Sequence, residues 1–235
     1  MSERSSDKKR ALPSRILPAL FVLCAVFLTF FGIYFKRDKS WSVISFVDAL
    51  LVLLAMNLSY ERKNIGARRT VLTAVMTALA VAGRVILAPV PGAAPITPFA
   101  AIAAMYAGPW CGFATGSTSA LISGCLSGLG SWTPFQMLAW GLNGFFAGIF
   151  AERLKKSRAA LCVYCVLGGI FYSGLMDVWS VIWYNGTFAF NLWLAAAGTA
   201  LPFTAVYCAS NLLFLNLMRK PIGEKLDRVK VKYGI

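Results

Sequence analysis

The chain has 235 residues, of which 58% are hydrophobic and only 14% are charged, and it contains no histidine. A soluble domain carries roughly 25% charged residues, so this composition argues against a water-soluble fold. The lack of histidine excludes nucleophiles that histidine activates and most zinc sites. The net charge of +14 then has two explanations, namely a polyanionic partner or the sorting of charge to one side of a membrane.

Long uncharged runs alternate with charge clusters along the chain, and a helix that crosses a bilayer needs about 20 apolar residues. The first two runs, Ile16–Tyr34 and Trp41–Leu58, predict an N-terminal hairpin. The first has no small-residue cleavage site, so we expect it to be retained. Six further spans are predicted at Thr70–Ala88, Pro98–Ala107, Trp110–Gly128, Pro134–Ala151, Ala159–Tyr184 and Leu192–Met218.

The basic residues support this division. Segments 1–15, 60–69, 152–158 and 219–235 hold 19 of the 23 Lys and Arg residues. Because positive residues prefer the cytoplasmic side, the Pro-rich region before Gly128 is divided into two spans, and both termini are predicted to be cytoplasmic. The turn at 36–40, with three basic residues, is the exception.

The composition and the topology together predict an all-α integral membrane protein of the bacterial cell membrane. Its predicted parts are a two-helix extension (1–66), a six-helix core (67–218) and a basic cytoplasmic tail (219–235). Positive-inside orientation explains the excess charge, so no nucleic-acid partner is expected.

Small residues recur at every third or fourth position in three of the spans. Every fourth residue from Gly112 to Gly128 is Gly or Ala, the fourth core span has Gly141, Gly144 and Gly148, and the first core span has Ala74, Ala78 and Ala82. Such stripes let helix backbones approach closely in a bilayer. We therefore expect the two glycine-rich spans to pack tightly against their neighbours.

The context of the alanine stripe carries a family resemblance. A Pro-rich loop at 89–97 follows it, then Gly108-Pro109-Trp-Cys-Gly-Phe113 and, after Gly130-Ser131, Trp132-Thr-Pro-Phe-Gln-Met137. This layout resembles the substrate-binding S components of energy-coupling-factor (ECF) transporters, the bacterial vitamin importers, in the branch with riboflavin- and cobalamin-type members. The resemblance covers residues 67–218 as the six-helix core.

The resemblance implies a mechanism and a set of partners. An S component binds a vitamin on the outer side and works with a scaffold transmembrane subunit and a pair of ABC-type ATPases. Ala74 and Ala78 match the family's docking motif for the scaffold, and Ala82 extends it. The resemblance also implies that the loop at 89–97 closes over the ligand. The two extra N-terminal helices depart from the usual six, and their role stays open.

Polar and aromatic side chains cluster at the predicted outer ends of the helices. Their spacing places Trp132, Gln136, Trp140 and Asn143 on one helix face. Tyr184, Asn185 and Asn191 surround the last outer loop. These rings would stack on a flat heteroaromatic ligand and the amides would bind its polar groups. The alternative is an aromatic belt at the lipid interface, which applies most to Trp41 and Trp193.

Two charges lie inside predicted spans, where an ionised group is costly. Arg84 and Asp177 are at compatible depths below the outer surface, so an ion pair between them is one possibility, and Asp48 is a rival partner. Contact with the ligand is the alternative role. As a hypothesis, Asp177 helps to line the pocket.

The remaining motifs limit the function. Cys162 and Cys165 have CxxC spacing in an apolar helix with no second pair, so they are interpreted as packing residues and no metal site or cofactor is predicted. There is no phosphate-binding GxxxxGK[ST] motif. We expect a binding subunit and not an enzyme, with riboflavin or a cobalamin-like corrinoid as its ligand. The alternative function is a structural membrane protein of a cell-shape or assembly complex.

Overall fold

The computed structural model describes the backbone of residues 66–233 and the side chains of residues 69–228, together with Leu20, residues 23–28, Phe31, Val47 and Leu51. Residues 66–233 are helical and include no strand, which confirms the all-α fold class. The helices are α1 (Gly66–Ile86), α2 (Ile96–Ala107), α3 (Pro109–Ser127), α4 (Thr133–Ile149), α5 (Ala151–Lys156), α6 (Arg158–Asn185) and α7 (Phe190–Tyr233). The predicted N-terminal hairpin, with Asp48, Trp41 and the 36–40 turn, lies outside the described residues apart from those few positions.

The Pro-rich region forms two helices, α2 and α3, as its division into two spans predicts. They are separated at Gly108, whose φ of +104° lies in the region that favours glycine. Pro109 is the first residue of α3, where its missing N–H has no intrahelical partner to lose. Local sequence therefore sets this break.

Two features of the predicted cytoplasmic side differ from the expectation. The 152–158 segment contains the short helix α5, and α7 continues beyond Met218 to Tyr233. The tail stays helical past Pro221 because Ile222 and Leu226 pack against the core. The first part of the tail, up to Leu226, is therefore attached to the membrane core and is not a separate solvated segment.

Within the part of the chain that the structure describes, three stretches are long and apolar enough to cross a membrane, namely Arg69–Ile86, Arg158–Asn185 and Phe190–Arg228, and α2 is a shorter apolar helix. Helix α3 is rich in Gly, Ser and Thr, which lowers its hydropathy, and α4 has only 17 residues. Most of their residues are buried against other helices, so they need less apolar surface to face lipid.

Helix α2 lies at the centre of the bundle. It is 12 residues long, about 18 Å, and every residue except Tyr106 is buried. Helices α1, α3, α4 and α7 all pack on it. Its small side chains let these helices gather around one short core element.

Glycines hold α3 and α4 together at close range. A Cβ atom on Gly144 would overlap the backbone of Gly112, and one on Gly116 would overlap the backbone of Trp140. The Ser117 hydroxyl also donates a hydrogen bond to the Met137 carbonyl across this contact (2.8 Å). The glycine stripes thus allow close helix packing, and this contact fixes the position of Trp140 along the axis of the bundle.

Helices α6 and α7 pack through polar and small residues. The Asn211 amide donates to the Cys165 carbonyl (3.2 Å), and the Cys165 thiol donates to the Asn211 carbonyl (3.4 Å). A Cβ atom on Gly169 would overlap Cys208. This register brings Tyr172 and Tyr207 next to each other.

Candidate functional site

A cavity of about 230 Å³ lies where α1 ends and α4 begins, beneath the loop that joins α1 to α2. Residues of α1, α3, α4, α6 and α7 form its walls, and residues of the loop complete the lining. The lining residues are Arg84, Ala88, Val90, Pro91, Gly92, Ala93, Ala94, Ser127, Gln136, Trp140, Tyr172 and Tyr207.

Arg84 is the only charged residue in this lining. Its Nη1 donates to the Ser123 hydroxyl (2.8 Å), and its Nη2 donates to Oε1 of the Gln136 side chain at 3.5 Å. Its guanidinium carbon lies 4.8 Å from the centre of the Trp140 ring, in a cation–π arrangement. Dipoles and a ring face therefore hold this cation in place.

Three aromatic rings form a continuous wall. The Trp140 and Tyr172 rings are stacked, with centroids 4.6 Å apart and an interplanar angle of 19°, and the Tyr207 ring meets the Tyr172 ring edge-on at 4.7 Å. The Gln136 amide nitrogen donates to the Tyr172 hydroxyl (3.1 Å). Because the Gln136 amide bonds to groups on both sides, its orientation is fixed.

The covering loop is built from turns. The Val90 N–H bonds to the Leu87 carbonyl (2.9 Å), and the Ala93 N–H bonds to the Val90 carbonyl (3.1 Å). Gly92 has a φ of +83°, and a Cβ atom there would lie 3.3 Å from the Val206 side chain of α7. The loop therefore lies directly against α7, and its cover over the cavity depends on a glycine.

The structure brings three of the predicted site residues together in the cavity wall, namely Arg84, Gln136 and Trp140. Trp132 lies one turn above Gln136, is 38% exposed and packs edge-on against Trp179 (5.9 Å). It is therefore outside the lining of the cavity.

Asn143 and Asp177 are buried elsewhere. The Asn143 amide donates to the Gly168 carbonyl (3.1 Å), which ties α4 to α6. Asp177 is only 9% exposed and lies one turn from Ser173 on the buried face of α6. Among the described residues, no Arg84–Asp177 ion pair is present, and neither Asn143 nor Asp177 lines the cavity.

The three predicted residues of the last outer loop are exposed and do not reach the cavity. Tyr184 is 77% exposed, and the Asn185 amide donates to the Thr187 carbonyl within its own loop (3.0 Å). Asn191 is exposed at the start of α7. Of the three, Tyr184 alone has the aromatic ring that the belt alternative requires.

Sequence reasoning missed Tyr172 and Tyr207. Both lie well inside apolar runs, below the outer ends where candidates were sought. A tyrosine at such a depth needs a partner for its hydroxyl, and that requirement was the available signal.

The alanine stripe lies on a different surface. Ala74, Ala78 and Ala82 are exposed, and they line an apolar groove of about 710 Å³ between α1 and α3. This groove shares no lining residue with the cavity at the loop.

Comparison with known proteins agrees with this layout. Residues 64–216 match the model of the family described as ECF-type riboflavin transporter, S component. No curated protein and no solved structure matches the chain significantly. The match runs from α1 into α7 and includes the cavity and the alanine groove. The chain is therefore an S component of an ECF-type vitamin transporter and belongs to the riboflavin S-component family.

Proposed function

We propose that this S component binds riboflavin, or a flavin of similar size, in the cavity beneath the 88–94 loop. The observation that carries the proposal is the convergence of one cation, one oriented amide and three rings on a single cavity under a loop. Ligand sites typically combine apolar walls with a few convergent polar groups, which is the composition found here.

The chemistry of the wall suits a flat heteroaromatic ring. The aromatic rings offer faces and edges for stacking, and Arg84 donates hydrogen bonds without accepting any. An isoalloxazine ring presents a flat face together with carbonyl oxygens on one edge. Arg84 and the tyrosine hydroxyls would bind that edge.

Size favours riboflavin over a corrinoid. The cavity of about 230 Å³ is smaller than the roughly 300–1,000 Å³ typical of ligand pockets. Binding therefore requires the loop to move outward and then close on the ligand. A corrinoid is several times larger than a flavin and would need the helices themselves to separate.

Measurements of ligand binding to variants of two tyrosines on the same helix, α6, test this proposal. Tyr172 lines the cavity, and Tyr184 is exposed outside it. We expect purified protein to quench riboflavin fluorescence on binding, and Tyr172→Phe to weaken binding about tenfold through loss of a hydroxyl. Tyr184→Phe is the control and should bind like the unmodified chain. Equal binding by both variants would contradict the cavity as the site.

The proposal extends to partners and orientation. The scaffold subunit would dock at the alanine groove, and an ATPase pair would supply the energy. Both termini would face the cytoplasm of a bacterial cell, which the clustering of 19 of the 23 basic residues supports. Labelling of Lys225 in intact cells by a reagent that cannot cross membranes would contradict this orientation.

A further inference from the structure

A second cleft, of about 260 Å³, lies at the opposite end of the bundle from the ligand cavity, where α5, α6 and α7 meet. Five residues line it, and four of them are cations: Lys156, Arg158, Asn216, Arg219 and Lys220. None of the five is acidic. The positive-inside rule explains why basic residues occur on this side, but it does not explain why four of them share one cleft.

The cations are arranged by the fold. The Arg219 guanidinium donates to the Leu154 and Lys155 carbonyls at 3.3 and 2.8 Å, which fixes it against the end of α5. Arg158 is the first residue of the 28-residue helix α6, so the partial positive charge of that helix end adds to the cleft.

Little negative charge offsets these cations. Among residues 69–228 the ion pair present is Lys156–Glu152, at 3.8 Å between largely exposed side chains. The interaction energy of such an exposed pair is small. Glu224 lies one turn beyond Lys220 on α7 but does not line the cleft, so the four lining cations leave the cleft with a net positive charge.

An apolar strip leads out of the cleft. Leu213, Leu217 and Lys220 are spaced i, i+4 and i+7, so they lie on one face of α7. Leu213 and Leu217 are 55% and 62% exposed. The surface therefore changes along one helix from a cluster of cations to exposed leucines, which matches the order of headgroup and acyl chain in a phospholipid.

We propose that this cleft binds the phosphate group of an anionic phospholipid, with the acyl chains along Leu213 and Leu217. Basic pockets between transmembrane helices on the cytoplasmic side are suited to such headgroups. A soluble phosphate shares the charge but would gain nothing from the leucine strip.

The test compares two double variants that remove the same charge. Lys156→Gln with Lys220→Gln changes the cleft, whereas Lys225→Gln with Arg228→Gln changes exposed cations of the same tail that do not line it. Native mass spectrometry of the full chain with phosphatidylglycerol, phosphatidylcholine or inorganic phosphate gives the occupancies. We expect the cleft variant to lose about thirtyfold in affinity for phosphatidylglycerol, since each basic residue near an anionic headgroup contributes roughly fivefold. The control variant should stay close to the unmodified chain.

Three outcomes would overturn the proposal. Equal losses in the two double variants would show that net charge alone attracts the lipid. Equal binding of phosphatidylcholine would show that the cations do not select the headgroup. Inorganic phosphate that binds as tightly as phosphatidylglycerol would assign the cleft to a soluble anion. A thermal unfolding midpoint in detergent equal to that of the unmodified chain verifies that the cleft variant is folded.

Discussion

Arg84 is a cation near the end of an apolar helix, and its contacts explain how the fold accommodates it. It interacts with the Ser123 hydroxyl, the Gln136 amide and the face of Trp140, and no carboxylate lies within ion-pair distance among the described residues. A fully paired arginine would have little left to offer a ligand. Arg84 instead keeps its charge next to the cavity, where it can attract polar or negative ligand atoms.

The first prediction concerns the charge and shape of Arg84. Arg84→Gln should weaken riboflavin binding by about tenfold to a hundredfold, because hydrogen bonds to charged groups are worth roughly 1.5–3 kcal/mol. Arg84→Lys should also bind more weakly, since lysine cannot reproduce the planar fork of donors. Titration of riboflavin fluorescence measures both. Unchanged affinity in the glutamine variant would exclude Arg84 from the site.

The second prediction concerns Asp177, which is buried without an ion-pair partner among the described residues. An unpaired buried carboxylate is costly, so Asp177→Asn should leave the thermal stability unchanged or raise it. Because Asp177 does not line the cavity, riboflavin affinity should change less than twofold. A large loss of affinity would instead support the sequence-based hypothesis that Asp177 contacts the ligand.

Some residues of the cavity wall could be predicted from the sequence, and others could not. Gln136 and Trp140 lie one turn apart on a single helix, so their shared face follows from helical spacing alone. Tyr172 and Tyr207 belong to different helices, and their meeting depends on how α6 and α7 cross at Gly169. A single sequence contains no direct signal for that crossing. Local periodicity therefore predicts one wall of the cavity but not the whole.

At the scale of elements, the contact between α3 and α4 determines where the cavity residues of α4 lie along the axis of the bundle. Gly112 meets Gly144, and Gly116 meets the backbone of Trp140. The spacing of these glycines predicted close packing but not which helices would be neighbours. The structure places the two stripes against each other, so Gln136 and Trp140 face the cavity at a depth that Arg84 can reach.

The third prediction uses two glycines inside helices. A Cβ atom on Gly144 would overlap Gly112, whereas one on Gly198 in α7 would meet nothing within 4 Å. Gly144→Ala should lower the free energy of unfolding by about 1–3 kcal/mol, the usual cost of overpacking. Gly198→Ala is the matched control and should be neutral or slightly stabilising, since alanine favours helix. Thermal unfolding in detergent compares them, and equal midpoints would contradict the close contact.

At the scale of the whole molecule, charge and hydropathy predicted six helices for the core, and residues 66–233 form these six together with the short helix α5, which was not predicted. The break at Gly108 follows from a Gly-Pro pair, since Gly108 has a positive φ and Pro109 begins the next helix. The continuation of α7 past Met218 could not be predicted, because it depends on Ile222 and Leu226 packing against a core that sequence alone does not position. The cavity and the alanine groove also lie on separate surfaces, so the ligand and a docked scaffold would not compete for the same residues.

This separation gives the fourth prediction. Ala74→Leu with Ala78→Leu fills the groove between α1 and α3, so co-purification with the scaffold and the ATPase pair should fall about tenfold or more, as expected for overpacking at two positions.

Val71→Phe with Val75→Phe adds similar bulk to exposed positions of the same helix that do not line the groove, and it should leave the complex intact. Riboflavin binding should be unchanged in both double variants, because the cavity is on another surface. If the valine variant lost the scaffold as well, the contact would involve the whole outer face of α1 and not the small-residue groove. If the alanine variant kept it, the scaffold would have to dock on a different surface of the bundle.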